Sequence, residues 1–531
     1  MVLISTFIAF TCLVAVLTWW ITHRDDHQSS SGYFLAGRSL GCFVIAGSLL
    51  LTNLSTEQLI GLNGGGYLHG MTVMAWEIFA AVGMVVMALV FLPRYLRTGI
   101  TTIPQFLEQR YGQGMRVAAS IIFLLTLLTN LLPFVLYSGA VAMNGFFDIA
   151  PRLGCTPMQA VVGMVIALGV VGGIYAIYGG LKAIAVSDTI NGVGLLIGGM
   201  CIPVYGLIHL GDGSFMEGCS RLVSDAPERL NPIGASGSNI PWTTLLTGMV
   251  LLQLYYWCTN QAIVQRTLGA RSLGDGQKGI LLAAALKLIG PLYLVLPGVL
   301  AWHIFGDALL NSSDQAYPML VNKVLPVWLT GFFAAVIFGA ILSSFNSGLN
   351  SAATLFSVDL YKGWLRPSAS EEDQVRIGKR FGTIIAIGSI VGAPLISFAS
   401  GGLFDLMKNL ATLYNIPLLA VIVVGMVSRR VPRGGAYAAI IVGMLFYGWF
   451  GLVKHNVLFG MPIHWLHLAS INFMLLVTIM LLWGRLKPLS IKWKAPEPTG
   501  DVNMTPWPFV KSSATAIIIL IVLIYGLMAR F

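Results

Sequence analysis

The chain has 531 residues, 56% of them hydrophobic and 10% charged, with a formal net charge of +10. Soluble domains carry roughly a quarter charged residues, and a mean hydropathy of +0.81 excludes that class. No stretch is left over for a soluble domain, so the composition describes an integral membrane protein.

Apolar runs of about 20 residues, each able to cross ~30 Å of hydrocarbon, recur fourteen times. They fall roughly at 2–21, 40–63, 71–93, 117–145, 157–177, 185–210, 242–264, 279–304, 326–359, 379–398, 404–427, 434–453, 463–484 and 512–530. The first has no basic flank and no small-residue cleavage site, and it ends in Trp19-Trp20 before His23-Arg24. It reads as an uncleaved span with an aromatic belt. In the second, Thr52-Asn53-Leu54-Ser55-Thr56-Glu57-Gln58 interrupts the apolar flanks Val44–Leu51 and Leu59-Ile60. Such groups at membrane depth cost several kcal/mol unless they are used. Broken, polar backbone is tolerated there only where it lines a cavity.

Farther along, 103–112 predicts a short surface helix, with Pro104 in its first turn and Gly112 after its end. The polar stretch 211–240 reads as a loop, and 365–380, with charges of both signs, as a solvated linker. A second polar break, Tyr255-Tyr256-Trp257-Cys258-Thr259-Asn260-Gln261, interrupts the seventh span. The two breaks lie five spans apart. An odd offset inverts the second half relative to the first, as in transporters built from inverted repeats with two discontinuous helices.

The basic excess is distributed, not clustered. With the N-terminus outside, the inner loops hold 23 of the 31 Lys and Arg, among them Arg94, Arg97, Arg110, Arg116, Arg266, Arg429, Arg430 and Arg433. Six lie outside, and Lys287 and Lys408 fall within spans. This positive-inside bias places both termini on the extracytoplasmic side of a cell (inner) membrane and excludes nucleic acid as a partner. The six cysteines show no CxxC and no His pairing, so no zinc or haem spacing exists. Cys155 and Cys219 fall in outer loops, and spacing leaves their pairing open.

Several strings resemble the sodium/solute symporter family, nearest its bacterial sodium/galactose branch. They are Tyr33-Phe34-Leu35-Ala36-Gly37-Arg38-Ser39-Leu40, Ser55-Thr56-Glu57-Gln58-Leu59-Ile60-Gly61, Ile103-Pro104-Gln105-Phe106, Tyr178-Gly179-Gly180-Leu181, Asn260–Leu268 and Leu349–Thr354. The resemblance runs from about residue 33 to 430 and implies an all-α fold of about 14 transmembrane helices around a LeuT-like core. That core is an inverted five-helix repeat with two discontinuous helices. It divides the chain into an extra helix and linker (1–39), a first repeat (40–210), an extracellular loop (211–241), a second repeat (242–427) and three C-terminal helices (428–531).

The resemblance also assigns a site. Carbonyls of Leu51, Leu54 and Ala340 with the hydroxyls of Ser343 and Ser344 match the family's sodium ligands, and Asp188 matches a supporting acid. A hard cation that must also leave suits carbonyls and hydroxyls. A sugar needs several hydrogen-bonding groups and an aromatic face. Gln58, Glu77, Gln253 and Lys287 match the family's sugar contacts, and Glu57, Asn53 and Tyr256 lie beside them. Tyr256 matches the inner gate; Leu62, Trp76 and Phe404 match the outer gate. Lys287 needs a partner such as Glu77 or Glu57, because an unpaired buried charge is expensive. A structural ion pair between helices would satisfy the same residues.

Three positions depart from the galactose pattern: Lys408 replaces a Gln, Ala80 replaces a Ser, and Leu131 replaces an Asn that here stands one position earlier, at Asn130. A one-residue shift turns a helical side chain by about 100°. Lys408 favours an anionic sugar, such as a sugar acid or sulfo-sugar, or else pairs with Asp405 and is silent. The expected function is sodium-driven import of a monosaccharide, with sodium as the coupling ion. The alternatives are symport of an anionic sugar derivative and a non-transporting sugar sensor on the same scaffold. No nucleophile–base or metal-ligand motif supports an enzyme.

Overall fold

The computed structural model describes all residues except 26–27, 311–312 and 399–402, and gives the backbone alone at 57, 398, 403–407 and 409. Among the described residues it is helical apart from one small hairpin, Val457–Leu458 against Met461–Pro462. Ten helical stretches are long and apolar enough to cross a membrane. The pair Leu273–Leu288 and Gly290–Phe305, bent by 52°, makes an eleventh. The first helix, α1 (Val2–Thr22), turns Trp19 and Trp20 outward, both more than 60% exposed, as lipid-facing aromatics are.

The lower count has a local cause: neighbouring apolar runs are joined by helix. Gln58–Arg97 and Pro157–Leu210 are single stretches of 40 and 54 residues. At 1.5 Å per residue the second would measure about 80 Å, far more than one bilayer. It is broken at Gly180, whose φ of 62° and ψ of −178° lie where only glycine sits without strain. The break falls between the fifth and sixth apolar runs of the sequence.

Both expected interruptions exist. The second apolar run forms α2 (Cys42–Asn53) and α3 (Thr56–His69), separated by Leu54 and Ser55. The next helix, α4, is Ala75–Val86. The seventh run forms α9 (Val250–Cys258) and α10 (Gln261–Leu268). Asn260 makes that break, because its side chain accepts the Ala262 amide at 2.9 Å and caps the second piece. Between them lie α5 (Ile103–Tyr111), α6 (Gln113–Thr126), α7 (Leu132–Phe147) and the kinked α8 (Pro157–Leu210). The longer helices that follow are α11 (Leu273–Leu288), α12 (Val327–Thr354), α13 (Glu371–Gly392), α14 (Leu403–Val427), α15 (Arg433–Tyr447), α16 (Trp465–Leu486) and α17 (Val510–Met528). Helices α2, α8 and α12 pack against one another at the centre, and α1 lies against α12.

Four expectations need correction. The stretch 211–240 is not all loop: Phe215–Asp225 is a helix, started by Ser214 accepting from the Glu217 amide. The linker 365–380 becomes helical at Glu371, where Ser370 caps the chain and three acids fill the first turn. Helix α5 forms, with a Thr102/Gln105 capping box and Gly112 beyond its end, but one face is buried through Ile103, Phe106 and Leu107. Arg110 and Arg116, read as loop cations, are buried too. Arg116 is held by Asp359 and Glu108, both at 2.7 Å. All six cysteines, Cys155 and Cys219 included, are free thiols.

Replacing Gly180 by alanine should destabilise the fold by roughly 1–3 kcal/mol, the cost of forcing a side chain into that backbone region. Thermal unfolding of the detergent-purified variant checks this. An unchanged midpoint would mean that the helix is not kinked there.

Candidate functional site

Four helices converge on one carboxylate. Lys287 of α11 donates from Nζ to Glu77 Oε2 of α4 at 2.8 Å, and also to Asn53 Oδ1 at the end of α2. Gln58 of α3 donates from Nε2 to the other carboxylate oxygen, Glu77 Oε1. The side chains of Lys287 and Glu77 are completely buried. A buried ion pair survives only when its remaining lone pairs and protons are also satisfied, and here both carboxylate oxygens are bonded.

Around this network lies a cavity. Asn53 and Gln58 form its polar floor, and Trp76, Ala80, Leu252 and Tyr256 form apolar walls. Gln253, Lys408 and Asn415 complete it. Gln253 donates to the Trp76 carbonyl at 2.9 Å and accepts from Trp257 Nε1 at 3.1 Å, which fixes both its ends. Gly83 allows this approach: a Cβ there would meet the Gln253 carbonyl at 2.8 Å. Lys408 Nζ lies 5.7 Å from the ring centres of both Trp76 and Tyr256. The cavity measures about 40 Å³, room for a water or two but not for a hexose.

The structure thus brings together Asn53, Gln58, Glu77, Gln253, Tyr256, Lys287, Lys408 and Trp76. Leu62 is fully buried and is not among the cavity-lining residues. Asn130 sits in a π-helical turn, Leu127–Leu131, and does not line the cavity either. The side chains of Glu57, Phe404 and Asp405 lie outside the described residues.

A second polar cluster sits where α2 breaks. The break leaves the last carbonyls of α2 without amides four residues on. Ser344 of α12 reaches across to one of them, donating to the Thr52 carbonyl at 3.3 Å. Leu51, Leu54 and Ala340 are buried around this point. Asp188 of α8 accepts from Ser48 at 2.7 Å and from Thr52 at 3.4 Å through one oxygen. Its other oxygen and Ser343 Oγ are buried without a hydrogen-bond partner. Two orphaned oxygens beside freed carbonyls fit a small cation.

Sequence reasoning missed Arg266, which it counted as a loop charge. The guanidinium is 1% exposed. It donates to Ser48 at 2.8 Å and to Ser347, and it lies 3.5 Å from Asp188. Its nearness to the Asn260 break, one and a half turns away, was the available signal.

The profile of the sodium:solute symporter family matches residues 33–443. The chain belongs to that family. It is 46% identical to the uncharacterized symporter YidK of Escherichia coli K12, over 99% of this chain and 91% of that one. It is 31% identical to the sodium/glucose cotransporter of Vibrio parahaemolyticus, over 83% and 84% of the two chains. Among solved structures, a sodium-coupled sialic acid symporter in a substrate-bound outward-open state superposes with a TM-score of 0.78. That match has 18% identity and covers 92% of this chain and 99% of the other. The protein is therefore a multi-pass membrane transporter that couples a small solute to sodium, and not an enzyme.

In this symporter the Lys287–Glu77 pair is completely buried behind Asn53 and Gln58, which line the cavity. Lys287→Met should cost roughly 3–5 kcal/mol by leaving a buried carboxylate unpaired, and adding Glu77→Gln should recover much of that loss. Thermal unfolding of the single and double variants measures it. Equal midpoints for the two variants would contradict the pairing.

Proposed function

We propose that the symporter imports a monosaccharide by sodium-coupled alternating access. The observation that carries this reading is the Asn53–Lys287–Glu77–Gln58 network beside the Trp76 and Tyr256 rings. Fixed donors and acceptors next to aromatic faces suit a polyhydroxylated ring with an apolar C–H side. The 31% identity to a sodium/glucose cotransporter supports the same class.

In this reading fourteen spans enclose two inverted repeats, 40–210 and 242–427, in an inner membrane with both termini outside. Sodium binds the carbonyls of Leu51, Leu54 and Ala340 and the hydroxyls of Ser343 and Ser344, with Asp188, which Arg266 also approaches, as a supporting acid nearby. It ties the break in α2 to α12 and so favours one orientation of the core. The contracted cavity must widen before sugar enters; on the family resemblance, Tyr256 is the inner gate and Leu62, Trp76 and Phe404 are the outer one. Each ligand then favours the state preferred by the other, a reciprocal coupling. One inward charge contributes ~2.3 kcal/mol per 100 mV, or roughly 50-fold accumulation.

Lys408 supports a second reading. Its ammonium group is among the groups that line the cavity, 5.7 Å from the ring centres of Trp76 and Tyr256. An anionic sugar, a sugar acid or sulfo-sugar, would place its acidic group there.

Sodium-dependent tracer uptake in proteoliposomes tests these assignments. Ser344→Ala should raise the half-saturating sodium concentration roughly tenfold, the worth of one hydrogen-bonding group to a charge. An unchanged sodium dependence would remove Ser344 from the ion site. Gln58→Ala should weaken sugar uptake and spare sodium affinity; full sugar affinity would contradict its role. Lys408→Gln should shift preference from acidic to neutral hexoses, and an unaltered substrate profile would dismiss the anionic reading.

A further inference from the structure

A second cluster of cations lies far from the substrate cavity, on the face that the charge bias assigns to the cytoplasm. The connection between α14 and α15 runs beside the segment after α16. Leu489 N donates to the Arg430 carbonyl and Trp493 N to the Arg429 carbonyl, both at 3.0 Å. Between these strands of chain and α5 opens a cleft of about 650 Å³. Arg110, Arg433, Lys492 and Lys494 line it, with Trp493 as an aromatic wall.

The positive-inside rule accounts for basic residues on this face. It does not account for Arg110, which is 4% exposed. Its Nε donates to the Gly425 carbonyl at 3.2 Å, and one Nη donates to the carbonyls of Ser428 and Val431 at 2.8 and 2.9 Å. The other, Nη1, is buried without a hydrogen-bond partner. Among the described residues no ion pair joins Arg110 to a carboxylate: Glu108 and Asp359 are engaged by Arg116, and the acid nearest the cleft's lysines in sequence, Glu497, follows Lys494 by three residues. The guanidinium carbon lies 4.6 Å from the Tyr111 ring centre and 5.3 Å from that of Trp493, so two cation–π contacts offset part of the burial. The free Nη1 donor is still left for an anion to complete.

We propose that this cleft binds the phosphodiester headgroup of an anionic phospholipid. Arg110 supplies the buried donor at its floor, and Arg433, Lys492 and Lys494 neutralise the headgroup at its rim. Arginine and phosphate pair through short, charge-assisted bonds. A lipid rather than a soluble phosphate is specified by the rim. Ile491 lines the cleft, and Val427 and Leu486 end two membrane-crossing helices; all three are at least 80% exposed, where acyl chains would cover them. Basic pockets between spans on a cytoplasmic face hold anionic lipids in this manner.

Native mass spectrometry of the full-length protein in detergent tests the site, with phosphatidylglycerol and phosphatidylcholine of identical chains as probes. The wild type should retain phosphatidylglycerol in preference. The triple variant R433Q/K492Q/K494Q should bind it on the order of a hundredfold more weakly, since each basic residue near an anionic headgroup is worth roughly fivefold. Its binding of phosphatidylcholine should not change, and the charge-preserving R433K/K492R/K494R should behave as wild type. Equal retention of the two lipids, an unaffected glutamine variant, or a parallel loss of phosphatidylcholine would overturn the proposal. Displacement of the lipid by millimolar inorganic phosphate would overturn it as well, by assigning the cleft to a soluble anion.

Discussion

A carboxylate with no access to water must be satisfied by protein, and the rest of this structure is arranged so that Glu77 is. Both of its oxygens are taken, one by Gln58 and one by Lys287, and Lys287 is taken in turn by Asn53. The four residues sit on four different helices, so none of those helices can move alone without stranding a polar group in a low-dielectric interior. The break between α2 and α3 belongs to the same constraint. It places Asn53 at the end of one piece and Gln58 in the first turn of the next.

The second polar cluster uses the same break from the other side. Thr52 hands its carbonyl to Ser344 and its hydroxyl towards Asp188, while Arg266 reaches Asp188, Ser48 and Ser347 from α10. Helix α10 is the lower half of the other interrupted span, directly after the piece that carries Gln253 and Tyr256. The second polar cluster and the central cavity are therefore joined twice: through the unwound turn of α2–α3, and through the α9–α10 corner. Two packed connections between two sites are the kind of physical network through which one ligand biases the other.

Much of this was legible in the sequence, for a physical reason. Polar residues in hydrocarbon are rare enough that each one signals a task. Thr52–Gln58 and Tyr255–Gln261 stood out against apolar flanks, and both proved to be interruptions. Lys287 demanded a counter-charge, and Glu77 met it. Other features lay beyond reach because they depend on what happens at membrane edges. Arg110, Arg116 and Arg266 read as loop charges, since an arginine near the end of an apolar run is ordinarily in water; only tertiary packing buries them. The one-residue break at Gly180, with helix on both sides, and the helix at Phe215–Asp225 had no signal either, because short connections carry no hydropathy pattern to distinguish turn from helix. The position of Lys408 over two aromatic rings follows from the approach of α14 to α9, which no local pattern encodes.

The narrowness of the central cavity has a consequence for the energised cell. A chamber of about 40 Å³ cannot hold a continuous thread of solvent. Small ions driven by the electrical potential need such a thread to slip past without cargo. In this conformation the compartment offers small ions no such thread, and its walls must part before anything larger than a few waters passes.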